Sequence, residues 1–131
     1  MTAAQHLGFV VLSGDYARVH YAMMMASAAA AIDRPVTLFF TMDAVPTVLA
    51  DEGWRDLSGS DRDDALKARN VADMETLLEV CAAMDVTFMV CEAGLKALDM
   101  SAEGLRDDLD VEVTGLVTFY AAVGSGQIVT L

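Results

Sequence analysis

The chain has 131 residues, 55% of them hydrophobic, and a formal charge of −12 from twenty acidic and eight basic residues. A single domain of that length (1–131) buries roughly two-thirds of its unfolded surface and needs neither a disulfide scaffold nor a structural metal. The acidic balance excludes a phosphate-binding nucleic-acid surface and disfavours an anionic membrane surface.

Residues 6–13 (HLGFVVLS) form a short apolar run of the kind expected of a strand buried on both faces. No basic segment precedes it, so no signal peptide is expected, and a cytoplasmic location follows. Ser13-Gly14-Asp15 breaks the run, with Asp15 suited to cap a helix. Residues 16–32 then read as a helix that is apolar nearly all round, hence buried on more than one side. Its apolar stretch 21–32 is too short to cross a bilayer, which takes about 20 such residues. Met23-Met24-Met25 point in diverging directions on a helix and cannot converge on one ion unless subunits meet there, so core and interface packing is the better reading. Val36–Phe40 reads as a second buried strand, which completes a βαβ unit with parallel strands.

Residues 41–50 read as a short helix with Pro46 in its first turn. The acidic stretch 51–70 reads as a solvated excursion, with Asp61–Asp64 as exposed charge and Trp54 as a possible anchor. In 71–85, Met74, Leu77, Leu78, Cys81 and Met84 make one stripe, the clearest amphipathic helix in the chain. Residues 86–91 are a third strand, and a helix opens at Glu92 or Ala93. Residues 101–110 read as a short acidic helix or turn. Thr114 caps a last helix through Val123, and 127–131 closes the sheet. Alternating strands and helices give a three-layer α/β/α fold with four or five mainly parallel strands.

Ligand chemistry in such folds lies beyond the carboxyl ends of the strands. Three turns fall there, and they single out Ser13, Gly14, Asp15, Thr41, Glu92 and Gly94 as candidate ligand-binding residues. Cys91 has two readings. A helix beginning just after it would favour the thiolate, the reactive form; equally, a free cysteine packs as a small inert hydrophobe. Glu92 counts against reactivity, since a neighbouring negative charge opposes a thiolate. Cys81 lies in the apolar stripe and reads as core. The cysteines are ten residues apart and His6 and His20 are isolated, so no zinc or C-x-x-C pattern exists and no metal is expected. Neither a dinucleotide nor a P-loop fingerprint occurs.

Ser13-Gly14-Asp15, an Ala-rich helix and a strand ending Phe39-Phe40-Thr41 resemble the opening of the DsrE/DsrF-like family. The third strand with Cys91, Gly94, Leu98 and Met100, and the closing segment from Glu112 to Tyr120, are similar to later parts of that family in the same order. The resemblance implies a three-layer α/β fold, homo-oligomers such as trimers or hexamers, and sulfur relayed as a cysteine persulfide. It places the sulfur-carrying cysteine at Cys91. Sulfur donor and acceptor proteins are the implied partners, and no cofactor is required. A non-catalytic oligomeric module that binds a small ligand or a protein is the alternative. A peroxidase-type thiol protein is a third, with Cys81 or another subunit supplying the resolving cysteine.

Overall fold

The computed structural model describes residues 5–131. In chain order its elements are β1 (Leu7–Val11), α1 (Tyr16–Ala31), β2 (Val36–Phe40), α2 (Arg62–Ala68), α3 (Met74–Ala83), β3 (Thr87–Cys91), α4 (Glu92–Ala97), β4 (Val111–Thr114), α5 (Leu116–Val123) and β5 (Gln127–Thr130). Three 3₁₀ helices, Met42–Val48, Gly53–Asp56 and Ala102–Gly104, occupy the connections. The sheet is five-stranded, ordered β4-β3-β2-β1-β5, with every pairing parallel.

This order decides where the helices go. The chain steps β1 to β2 to β3 to β4 in one direction, so right-handed crossovers put all three connections on one face. Phe9, Leu38, Phe40, Phe88 and Val90 point into that face and share a core with Val19 and Met23 of α1, Leu78 and Cys81 of α3, and Leu95 of α4. The fourth connection must return from β4 to the opposite edge, which reverses direction and sends α5 to the other face. There Phe119 and Val123 pack on Phe39, Met89 and Cys91. The result is a three-layer α/β/α fold whose second helical layer is one short helix.

β2 lies at the centre, and all five of its residues are buried, as its unbroken VTLFF run requires. Gly8 interrupts the apolar side chains of β1 because α5 lies directly on it. A Cβ there would stand 2.5 Å from Val123 Cγ2 and 2.8 Å from Phe119 Cζ.

Several sequence expectations change on contact with the structure. Residues 42–48 form a 3₁₀ helix with Pro46 inside it rather than in the first turn of an α-helix. The excursion 51–70 is built, not merely solvated: Trp54 is fully buried and donates to Glu75 Oε1 at 2.9 Å. Asp63, within the run read as exposed charge, is buried; it accepts from the Tyr16 hydroxyl and, at 2.8 Å, from the Met74 N–H. A residue of α2 that caps the first turn of α3 and also meets α1 leaves no local pattern to read. Thr114 does not cap α5 but ends β4, and Gly115 takes the cap position. Asp15 stands at the N-cap of α1 without a side-chain hydrogen bond to the helix. None of the helices among the described residues is long and apolar enough to cross a membrane.

Candidate functional site

In an open parallel sheet, the crevice forms where neighbouring strands send their outgoing connections to opposite faces. Here that happens between β3 and β4. The chain leaves β3 through α4 toward the larger core, and leaves β4 through α5 toward the other. The last register pair across this gap is Cys91 and Thr114. Residues opposite one another in a sheet share a face, so both side chains stand on the α5 side.

Cys91 ends β3 and holds the N-cap position of the six-residue α4, with extended backbone and no capping hydrogen bond from its side chain. It is 7% exposed and belongs to the cluster of Phe39, Met89, Phe119 and Val123. Thr114 is only half buried, so the β4 side of the pair is the open side. Thr41 lies one residue beyond the Phe40–Val90 pair, on the other flank of Cys91. Its backbone N–H donates to Val11 O at 3.0 Å, which ties the ends of β1 and β2 together.

Gly94 holds α4 against this edge. A Cβ at Gly94 would stand 2.8 Å from the Met42 nitrogen and 3.1 Å from Thr41 Oγ1, so only glycine lets the helix come this close. The Glu92 carboxylate turns to solvent and pairs with Lys96 at 3.3 Å.

The first turn goes elsewhere. Ser13 Oγ accepts the Asp15 N–H at 3.0 Å, and the Gly14 carbonyl accepts the Ser58 N–H at 2.8 Å. Gly14 joins Asp43, Pro46, Asp56, Ser58 and Leu98 around an open cavity of about 340 Å³. Cys91 does not line it, because its side chain lies across the sheet. Asp15 borders a separate, larger hollow with Asp61 and Arg62. Of the residues singled out from sequence, Thr41, Cys91, Glu92 and Gly94 therefore gather at one place, while Ser13, Gly14 and Asp15 do not join them. Thr114 was missed as a member of this group. The alternation Val111-Glu112-Val113 is a strand signal, though too short to outweigh the helix that follows.

Cys81 is fully buried between α3 and α1, its thiol 3.9 Å from Met23 O. Burial in this apolar setting pushes its thiol up to about 12. The two cysteines belong to cores on opposite faces of the sheet, so they cannot pair within one chain. His20 is also structural: its Nε2 lies 2.7 Å from Ala72 O and its ring stacks on Tyr16.

A second polar group braces the excursion. Arg106 donates to Glu75 through Nη1 and Nη2, at 3.1 and 2.7 Å, and to Asp108 through Nε and Nη2, each at 2.7 Å. That guanidinium holds both carboxyls below their usual range.

The fold is shared with solved structures. The chain is similar to the YchN protein from E. coli, with a TM-score of 0.69 and 18% identity over 98% of this chain and 100% of that one. It is likewise similar to MTH1491, a protein of unknown function from Methanobacterium thermoautotrophicum, with a TM-score of 0.61 and 15% identity over 97% and 99% of the two chains. At such identities the likeness concerns the fold alone. Comparison with curated proteins gives no match. The family model described as DsrE/DsrF-like matches residues 5–131, from just before β1 to beyond β5. The chain therefore belongs to the DsrE/DsrF-like family.

Proposed function

We propose that this chain carries sulfane sulfur as a persulfide on Cys91, the specific form of the sulfur-relay-related role to which its family membership points. The observation that carries the reading is the placement of Cys91 at the β3–β4 switch point, opposite Thr114. The only other thiol, Cys81, is sealed in the opposite core and held protonated by burial.

In the loading step, the Cys91 thiolate attacks the outer sulfur of a donor persulfide. A new S–S bond forms as the donor's bond breaks, and the donor leaves as a thiolate. An acceptor thiolate then attacks the outer sulfur on Cys91 and releases the Cys91 thiolate. Sulfur moves with no net oxidant, so the chain's own task is to present one reachable thiolate. Both cysteines are free, which suits a reducing, cytoplasmic setting. The working form in this reading is a homo-oligomer, a trimer or hexamer, that meets separate donor and acceptor proteins.

The small exposure of Cys91 favours a second reading, a non-catalytic binding module in which this cysteine only packs. Intact mass separates the two. After incubation with polysulfide, a carrier gains sulfur that reductant removes; an unchanged mass favours the binding module.

A further inference from the structure

α5 is the whole of the sheet's second helical layer, and it is short. With its side chains one helix is about 10–12 Å wide, against a five-stranded sheet about 19 Å across at ~4.8 Å per spacing. Phe119 and Val123 pack inward, while Leu116 (47% exposed), Val117 (84%) and Tyr120 (56%) stand outward. Ile128, also exposed, lies on the same side of the sheet, opposite Gly8 in register. A helix whose outer face meets water is normally polar there; on this one the exposed side chains other than Thr118 are apolar or aromatic.

Charge is distributed as unevenly. The molecule carries twenty acidic and eight basic residues, yet the run from Val113 to Leu131, which supplies α5 and β5, contains no Asp, Glu, Lys or Arg. The uncharged surface ends at Glu112 on the β4 edge. The outer side of α1, the apolar helix that most suggests subunit contacts in the sequence, mixes Tyr21 and Met24 with Arg18.

We infer that the face formed by Leu116, Val117, Tyr120 and Ile128 is the contact surface for a second copy of this chain. The inference rests on the homo-oligomeric reading above and adds the surface involved. Two molecules of net charge −12 repel in most orientations, and this face lets them meet with no carboxylates opposed. In a homo-oligomer every contact joins surfaces of the same chain, and an uncharged apolar patch enters such a contact without the like-charge repulsion that an acidic patch brings. A partner recognised through charge would settle on the acidic surface around Asp51, Glu79 and Glu103 instead.

Sedimentation velocity over a micromolar concentration series tests this without any sulfur chemistry. Wild type is compared with Val117→Glu/Tyr120→Glu and with Tyr21→Glu, an equal kind of change on exposed α1. Circular dichroism verifies that each is folded, and Val117→Lys repeats the test at the most exposed position with the opposite charge. Wild type and Tyr21→Glu are expected to sediment as an assembly. The α5 variants are expected as monomers, with self-association weakened about 100-fold or more. A monomeric wild type overturns the homo-oligomeric reading and this surface with it. An assembly that survives the α5 substitutions, or that Tyr21→Glu dissolves, overturns the surface alone.

Discussion

Cys91 and Thr114 stand opposite one another at the last register step between β3 and β4, on the face covered by α5. Cα atoms so paired are about 4.8 Å apart, within the span a disulfide bridges. Thr114→Cys is therefore expected to give a chain that mild oxidation closes with Cys91, leaving Cys81 reduced. Peptide mapping of the oxidised variant reads the partner directly. A bridge to Cys81 would mean that the two cysteines share a face, contrary to the topology described.

Gly94 decides how closely α4 approaches the end of β2. A methyl group there meets the Met42 nitrogen, a backbone atom that cannot swing aside. Gly94→Ala should cost about 1–3 kcal/mol, the usual range for overpacking, and displace the segment that begins at Cys91. Urea unfolding measures the loss; unchanged stability would show that α4 has room to shift.

The excursion 51–70 is held from beneath by Asp63. Removing its carboxylate strands a buried hydroxyl on Tyr16 and the Met74 N–H at the start of α3. Asp63→Ala is expected to lose about 3 kcal/mol, and Tyr16→Phe about half as much. Because the two groups share one bond, the double variant should lose less than the sum of the single losses. Full additivity in that cycle would dissolve the link.

Stability should also fall in acid. Hydrogen bonding from Thr76 lowers the Asp73 carboxyl, and Arg106 lowers those of Glu75 and Asp108. Carboxyls depressed in the folded state contribute stability above their ordinary values, 3.8 for Asp and 4.5 for Glu, and lose it as pH falls below them. His6 acts in the same direction at higher pH. Burial lowers it from 6.5, so its contribution is present above that value and fades as pH drops below it. The urea midpoint should decline from neutral pH through the carboxylate range, and Arg106→Met should flatten the acid part. A midpoint independent of pH would contradict these pairings.

How much was legible in the sequence depends on what each element buries. Val36–Phe40 was legible because a strand buried on both faces must be apolar throughout, and β2 is. Helix α3 showed its stripe because one side meets α1 and the other meets water. β4 escaped notice as a strand: it is an edge strand of four residues, none fully buried, so little apolar pattern marks it. The candidate site was half visible for the same reason. Cys91 could be found at the end of an obvious strand, whereas Thr114 becomes its neighbour only through the non-local pairing of β3 with β4. Asp63 was hidden differently, since its partners lie in α1 and α3 and its local run looks like surface charge.

Sulfur carriage rests on a single atom, the Cys91 sulfur, and locating the added sulfur tests it directly. The native protein is treated with polysulfide, the excess removed, and the remaining thiols are blocked before peptide mapping. Adduct is expected on the peptide containing Cys91, absent in Cys91→Ser, and retained in Cys81→Ala. That last variant should be about 1 kcal/mol less stable, as a small buried truncation is. Adduct on Cys81, or a Cys91 that takes up no sulfur in the folded protein, would contradict the carrier mechanism.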